Sequence, residues 1–231
     1  MSTKAKPTVV MIHGAWADGS SWRHVIRLLR AHGLATVAAP IPLTSLSDDV
    51  RALDRALERT NGPVVLAAHA YAGAVIGSTR NDRVRGLVFV SALAPDEGET
   101  VADVFYCEPP HPQAPQLAPD PDGFIWMPDS GFPSAFAQDA SQEENALFAA
   151  VQRPINMACI QEKARKPLWR DVPSWFLLAE RDRMIHPKTQ EFMASRMNAD
   201  ILRMDVDHTS IFTAPDKVVG LVLAAATATS G

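Results

Sequence analysis

The sequence predicts an α/β protein: a doubly wound parallel sheet of about six strands, with a helical cap inserted after the fourth strand. Three observations carry that prediction. Short apolar, β-branched runs alternate with stretches of helical spacing, as expected for strands covered on both faces. One such run, Val64-Val65-Leu66-Ala67-Ala68, passes through His69-Ala70-Tyr71 straight into a helix-forming stretch, which reads as strand, sharp turn, helix. Between Pro95 and Pro133 the alternation stops, because nine prolines in that span leave no room for sheet or long helix.

Taken in order, Thr8–His13 is a continuous apolar strand that ends in the turn-forming loop Gly14-Ala15-Trp16-Ala17-Asp18-Gly19-Ser20. A helix follows from about Ser20 to Ala31, with Trp22, Val25, Leu28 and Leu29 at helical spacing and Gly33 as its stop. Ala35–Ala39 is a second short strand, closed by Pro40 and Pro42. Ser47 is the expected N-cap of a helix reaching about Arg59, with Val50, Leu53 and Leu57 facing inward. Val64–Ala68 is the third strand, Ala72–Thr79 the helix that leaves it, and Val84–Val90 the fourth strand.

Residues 96–170 read as the cap, with helical stretches expected at about 135–150 and 154–163. Its large apolar groups, among them Phe105, Tyr106, Phe124, Trp126, Met127, Phe132, Phe136 and Phe148, argue against a disordered linker. The sheet then resumes with strands at Ser174–Ala179 and Ile201–Val206 and helices at Pro187–Met197 and Pro215–Thr227. The core is therefore expected to comprise 1–95 and 171–231.

Length and composition bound the rest. The 231 residues, 47% hydrophobic and 21% charged, suffice for one sizeable core. A net charge of -4 supplies no basic surface for nucleic acid and no polybasic patch for a membrane. No apolar run reaches the roughly 18 residues of a membrane-spanning helix. The opening residues, Met1 to Pro7, lack the apolar region of a signal peptide, so a cytoplasmic protein is expected, as monomer or homodimer. Cys107 and Cys159 have no metal-ligand spacing and are expected to be reduced thiols.

Ligands of such sheets bind beyond the carboxyl ends of the strands. The residues just past those ends are His13, Gly14, Ala15 and Trp16; His69, Ala70 and Tyr71; Asp182; and His208. An amide loop, a nucleophile turn, an acid and an imidazole thus come to one rim, in the chain order nucleophile, acid, base. The turn Ala68-His69-Ala70-Tyr71-Ala72 has the small-x-nucleophile-x-small frame, yet its central slot holds alanine.

These pieces carry a resemblance. The loop His13-Gly14-Ala15-Trp16 with Gly19-Ser20-Ser21-Trp22, the turn Ala68-His69-Ala70-Tyr71-Ala72-Gly73, the run Asp182-Arg183-Met184-Ile185-His186-Pro187, and Asp207-His208 resemble the α/β-hydrolase superfamily. Within it they are similar to the small, cofactor-free carboxylesterases related to plant methyl-ester hydrolases and hydroxynitrile lyases. The resemblance implies an α/β-hydrolase fold and an ester, lactone or related acyl hydrolase working through an acyl-enzyme on a small-molecule substrate. It places Ala70 in the serine's position, His208 in that of the general base and Asp182 in that of the orienting acid. The amides of Ala15 and Tyr71 are the candidate oxyanion donors. The longer hydrolases carry an extra N-terminal hairpin, which this sequence is expected to lack.

The turn departs from the family pattern of Gly-His-Ser-x-Gly-Gly at Ala68, Ala70 and Ala72. The first and last remain small. Ala70 removes the nucleophile, and two readings stand: an engineered Ser→Ala change that leaves the chain inactive, or a natural non-catalytic homologue that binds a ligand. The retained acid, base and oxyanion loops favour the first. A lyase of this group would use a threonine in the first loop and a lysine after the base; Gly14 and Thr209 stand there. Trp16, Trp126, Met127 and Phe132 are expected to form an apolar substrate wall. His13 and His69 are expected to be structural, and without a local ligand pair such as HExxH no metal and no cofactor are expected.

Overall fold

The computed structural model describes residues 6–230. Six strands form one parallel sheet: β1 (Thr8–Ile12), β2 (Thr36–Ala39), β3 (Val64–His69), β4 (Val84–Val90), β7 (Ser174–Ala179) and β8 (Asp200–Met204). Their spatial order is β2-β1-β3-β4-β7-β8, and every neighbouring pair is parallel. The chain runs from β1 outward to β2 and then crosses back to β3 on the other side of β1. The strand order therefore reverses between β1 and β3, and it is outside such a reversal that these sheets open a crevice.

Alternation along the strands sorts the core into two layers. Val9, Met11, Val65, Ala67, Val88, Val90 and Leu177 face α1 (Arg23–Ala31) and α9 (Pro215–Ala228). Val10, Ile12, Leu66, Ala68, Phe89 and Phe176 face α2 (Leu46–Leu57), α3 (Ala72–Ser78) and α7 (Pro187–Arg196). All six residues of β3 are buried, as a central strand requires. At Gly73 a Cβ would lie 2.4 Å from the Leu93 carbonyl oxygen, so α3 can close on the chain leaving β4 only because residue 73 is glycine.

β4 pairs directly with β7, so the residues between them form an excursion from the sheet. It holds α4 (Val101–Phe105), a two-stranded antiparallel pair of β5 (Phe124–Ile125) and β6 (Ile155–Asn156), a π-helical turn at Phe132–Phe136, α5 (Gln142–Val151) and α6 (Met157–Gln161). A third apolar cluster, with Met127, Phe132, Phe136 and Phe148, packs there against Ala17 and Met184 of the core. A short helix, α8 (Ser210–Thr213), precedes α9.

Several boundaries differ from the sequence reading, each for a local reason. The N-cap of α2 is Ser45, not Ser47: Ser45 is extended and its hydroxyl accepts from the Asp48 amide at 3.0 Å, whereas Ser47 already lies in the first turn. The stretch expected as one helix at 135–150 is a π turn and then α5, which starts where Ser141 accepts from the Glu144 amide. The stretch at 154–163 begins as β6, and Asn156 then caps α6. The last strand ends at Met204 rather than Val206.

Candidate active site

The turn after β3 sets the geometry. Ala70 has φ 52°, in the left-handed region that alanine rarely occupies. The conformation is held from both sides: the Ala70 amide donates to the Val90 carbonyl at 3.3 Å, and its own carbonyl accepts from the Leu93 amide at 2.9 Å. The loop after β1 packs on this turn, for a Cβ on Gly14 would come within 3.0 Å of the Ala70 methyl. Trp16, also left-handed at φ 56°, is tied to the excursion. Its amide donates to the Arg153 carbonyl (3.0 Å) and its indole to the Ile125 carbonyl (2.9 Å). In contrast, the amides of Ala15 and Tyr71 have no hydrogen-bond partner among the described residues.

The loops after β7 and β8 supply the acid and the imidazole. Asp182 is buried and saturated: Oδ1 accepts from the amides of Met184 (2.7 Å) and Ile185 (2.9 Å), and Oδ2 from Gln190 Nε2 and His208 Nδ1, each at 2.8 Å. A carboxylate so placed fixes a proton on His208 Nδ1 and leaves Nε2 as the lone-pair nitrogen. Nε2 has no partner among the described residues, and the ring lines a cavity. His69, fully buried, hydrogen-bonds the His208 carbonyl through Nε2 at 2.9 Å. Because a carbonyl only accepts, Nε2 carries the proton, and burial drives the ring's pKa well below the ordinary value. His13 is likewise held neutral, pushed down to about 4 by burial, and contacts the Gly14 carbonyl and the Ile41 amide.

The cavity lies at the carboxyl ends of the strands, with about 90 Å³ of free space. The core contributes Ala15, Trp16, Ala70, Tyr71, Met184, Ile185 and His208; the excursion contributes Phe105, Tyr106, Leu117, Ile125, Phe136 and Ile155. Sequence reasoning thus placed five of these groups at one site: Ala15, Trp16, Ala70, Tyr71 and His208.

Trp126, Met127 and Phe132 are not in the cavity wall, which corrects their expected contact with substrate. Ile125 lines the cavity, whereas Trp126, just past the end of β5, is about half exposed with its indole on Asp120. Met127 is buried against Gly131, and Phe132 is fully buried beneath Phe136.

Sequence reasoning missed Gln190; it counted Phe136 among the apolar groups of the cap, and that ring's centroid lies 5.5 Å from that of His208. It also missed Asp49, which accepts from the Tyr71 hydroxyl and the Leu43 amide, each at 2.7 Å, behind the turn. Burial raises the Asp49 pKa to about 6. The start of that helix was read at Ser47 rather than Ser45, and nothing local marks a carboxylate that turns inward.

Among the described residues no group of three His, Cys, Asp or Glu side chains could hold a metal ion, and no helix is long and apolar enough to cross a membrane. Cys107 and Cys159 are free thiols.

A parallel sheet with a left-handed turn, a buried Asp-His pair and free amides at its crevice defines the α/β-hydrolase class. Residues 9–221 match the alpha/beta hydrolase family, and the chain belongs to that family. It is 22% identical to a probable hydrolase, R7, of Phoma sp., over 92% of this chain and 95% of that protein. It is 25% identical to the alpha/beta hydrolase nvfD of Aspergillus novofumigatus, over 96% and 97%. Its fold is similar to those of polyneuridine aldehyde esterase (TM-score 0.78, 17% identity, 95% of this chain and 99% of that one) and of the pyrethroid hydrolase PytH (TM-score 0.82, 17% identity, 97% and 98%).

Proposed function

We propose that this is the site of a serine-type carboxylic-ester hydrolase, acting on small, largely apolar esters, lactones or related acyl compounds, with its nucleophile position filled by Ala70. The observation that carries the reading is the His208–Asp182 pair, 2.8 Å apart, with His208 lining the same cavity as Ala70 and its Nε2 without a partner among the described residues. In that chemistry a serine at 70 attacks the carbonyl, His208 takes its proton, and Asp182 stabilises the imidazolium. The Ala15 and Tyr71 amides receive the oxyanion. The excursion over the cavity acts as a cap, residues 96–170, that excludes water from the acyl-enzyme. The apolar wall and the similarity of fold to polyneuridine aldehyde esterase support an ester substrate.

An engineered Ser→Ala change accounts for a site complete in every part but one. A natural ligand-binding homologue takes Ala70 at face value, and the strained φ at that residue, kept with no nucleophile to present, is the observation it must explain. The test is Ala70→Ser, offered short aryl esters and a fluorophosphonate probe. Turnover with labelling of residue 70 is the expected result. A folded variant that neither hydrolyses ester nor takes the probe overturns the hydrolase reading. The unaltered chain is expected to bind such an ester and release it intact.

A further inference from the structure

The unaltered site holds a base with no group of its own to deprotonate. The cavity wall contains no Ser, Thr, Cys, Lys, Asp or Glu side chain. The Tyr71 hydroxyl is committed to Asp49 and the Trp16 indole to the Ile125 carbonyl. The uncommitted polar groups of the lining residues include the amides of Ala15 and Tyr71, which donate, His208 Nε2, which accepts, and the hydroxyl of Tyr106, a residue more than half exposed.

We infer that the chain with alanine at 70 is a carbon-acid catalyst: it removes a proton from the carbon next to the carbonyl of a small apolar ketone or ester. The carbonyl oxygen accepts from the two amides. His208 Nε2 takes the α-hydrogen as a proton, and the C–H electron pair forms the C=C bond of an enolate as the carbonyl π pair moves onto oxygen. The amides hold that oxyanion and Asp182 holds the imidazolium, the same two stabilisations that ester attack requires. Returning the proton to carbon regenerates the carbonyl compound, so the cycle balances without oxidant, reductant or co-reactant.

Water is the competing proton source, and the wall disfavours it. A fixed water needs two to four polar partners. Once a carbonyl occupies both amides, the uncommitted side-chain groups left among the described lining residues are Nε2 and the hydroxyl of the half-exposed Tyr106, in an otherwise apolar wall. A C–H bond needs no partner but the base. The inference rests on the base and oxyanion donors of the proposed hydrolase, not on which residue alanine replaced.

The test is solvent exchange by the unaltered chain. Phenylacetone is incubated with it in deuterium oxide, and loss of the methylene proton signal is followed by NMR. Exchange at least tenfold above the buffer rate is expected, saturating in substrate, with one of the two prochiral hydrogens removed first. His208→Gln is expected to return the rate to that of buffer. Should that variant misfold, benzaldehyde, a carbonyl compound without an α-hydrogen, is expected to suppress exchange by competing in the unaltered chain. Exchange equal to buffer, without stereochemical preference, or indifferent to both His208→Gln and benzaldehyde overturns the inference. Ester turnover by Ala70→Ser with no exchange by the unaltered chain would defeat this inference alone; exchange without such turnover would defeat only the hydrolase reading.

Discussion

A methyl group at residue 70 occupies a backbone conformation whose usual reward is a well-aimed nucleophile. The strain is sustained by two hydrogen bonds to the chain around β4, from Ala70 to Val90 and from Leu93 to Ala70. Asp182 and His208 were legible because each follows a strand and the chain order fits. Gln190 was not, since its link to Asp182 depends on how α7 lies against the loop. In an Ala70→Ser background, Asp182→Asn should lower kcat by on the order of 10³–10⁴-fold, because the imidazole loses its fixed tautomer; steady-state kinetics on an aryl ester checks this.

Asp49 makes a prediction of a different kind. Its carboxyl titrates at about 6 in the fold against 3.8 as the ordinary value, with burial as the largest cause. The Tyr71 hydroxyl, the Leu43 amide and the Cys159 thiol face it, Asp48 adds like charge, and no cation is among the groups that shift it. The folded state therefore holds this proton more tightly than the unfolded chain. The stability it contributes is present below about pH 4 and lost as pH rises through 6, a loss on the order of 3 kcal/mol. His13, with its lowered pKa, acts oppositely, losing stability as pH falls from about 6.5 through 4. Asp49→Asn isolates the first effect: denaturant unfolding at pH 4 and pH 7 should show the variant faring better against the parent at pH 7. An equal difference at both values would contradict the assignment.

At the scale of elements, the turn between β3 and α3 works because α3 can approach the chain beyond β4. Gly73→Ala sets a Cβ 2.4 Å from a backbone oxygen, which no side-chain adjustment relieves, so a loss of about 1–3 kcal/mol or more is expected. Gly220, exposed within α9 with nothing within 4 Å of an added Cβ, should gain about 0.5–1 kcal/mol on the same change. Thermal midpoints of the two variants, moving in opposite directions, check both. Elements of the sheet were readable because two-sided burial leaves a continuous apolar run, as at Val64–His69. The excursion was less so. Its short elements are fixed by caps and tertiary contacts, and α4 was overlooked although Thr100 and Asp103 form a capping box. Trp126, Met127 and Phe132 show the limit: composition identifies apolar groups of the cap but not which of them its short elements and turns bring to the cavity.

Across the whole molecule, the reversal of strand order between β1 and β3 brings the amide loop to the nucleophile turn, while β7 and β8 carry the acid and base in from the far side. The α/β order and the crevice followed from strand and helix alternation; the roof of Phe136 over His208 depends on a π turn that no spacing rule announces. If the cavity is a ligand site, an apolar ester at 100 times its Kd should stabilise the fold by about 2.7 kcal/mol, and so raise the thermal midpoint by several degrees. Ala102→Trp, which fills the cavity wall from α4, should abolish that rise. A rise of the same size in the variant would place binding elsewhere.

The most direct measurement is a crystal structure of the unaltered chain soaked with a short aryl ester. The account predicts an uncleaved ester whose carbonyl oxygen lies about 3 Å from the amides of both Ala15 and Tyr71, beside His208 Nε2. A cleaved ester, or a carbonyl turned away from those two amides, would contradict it.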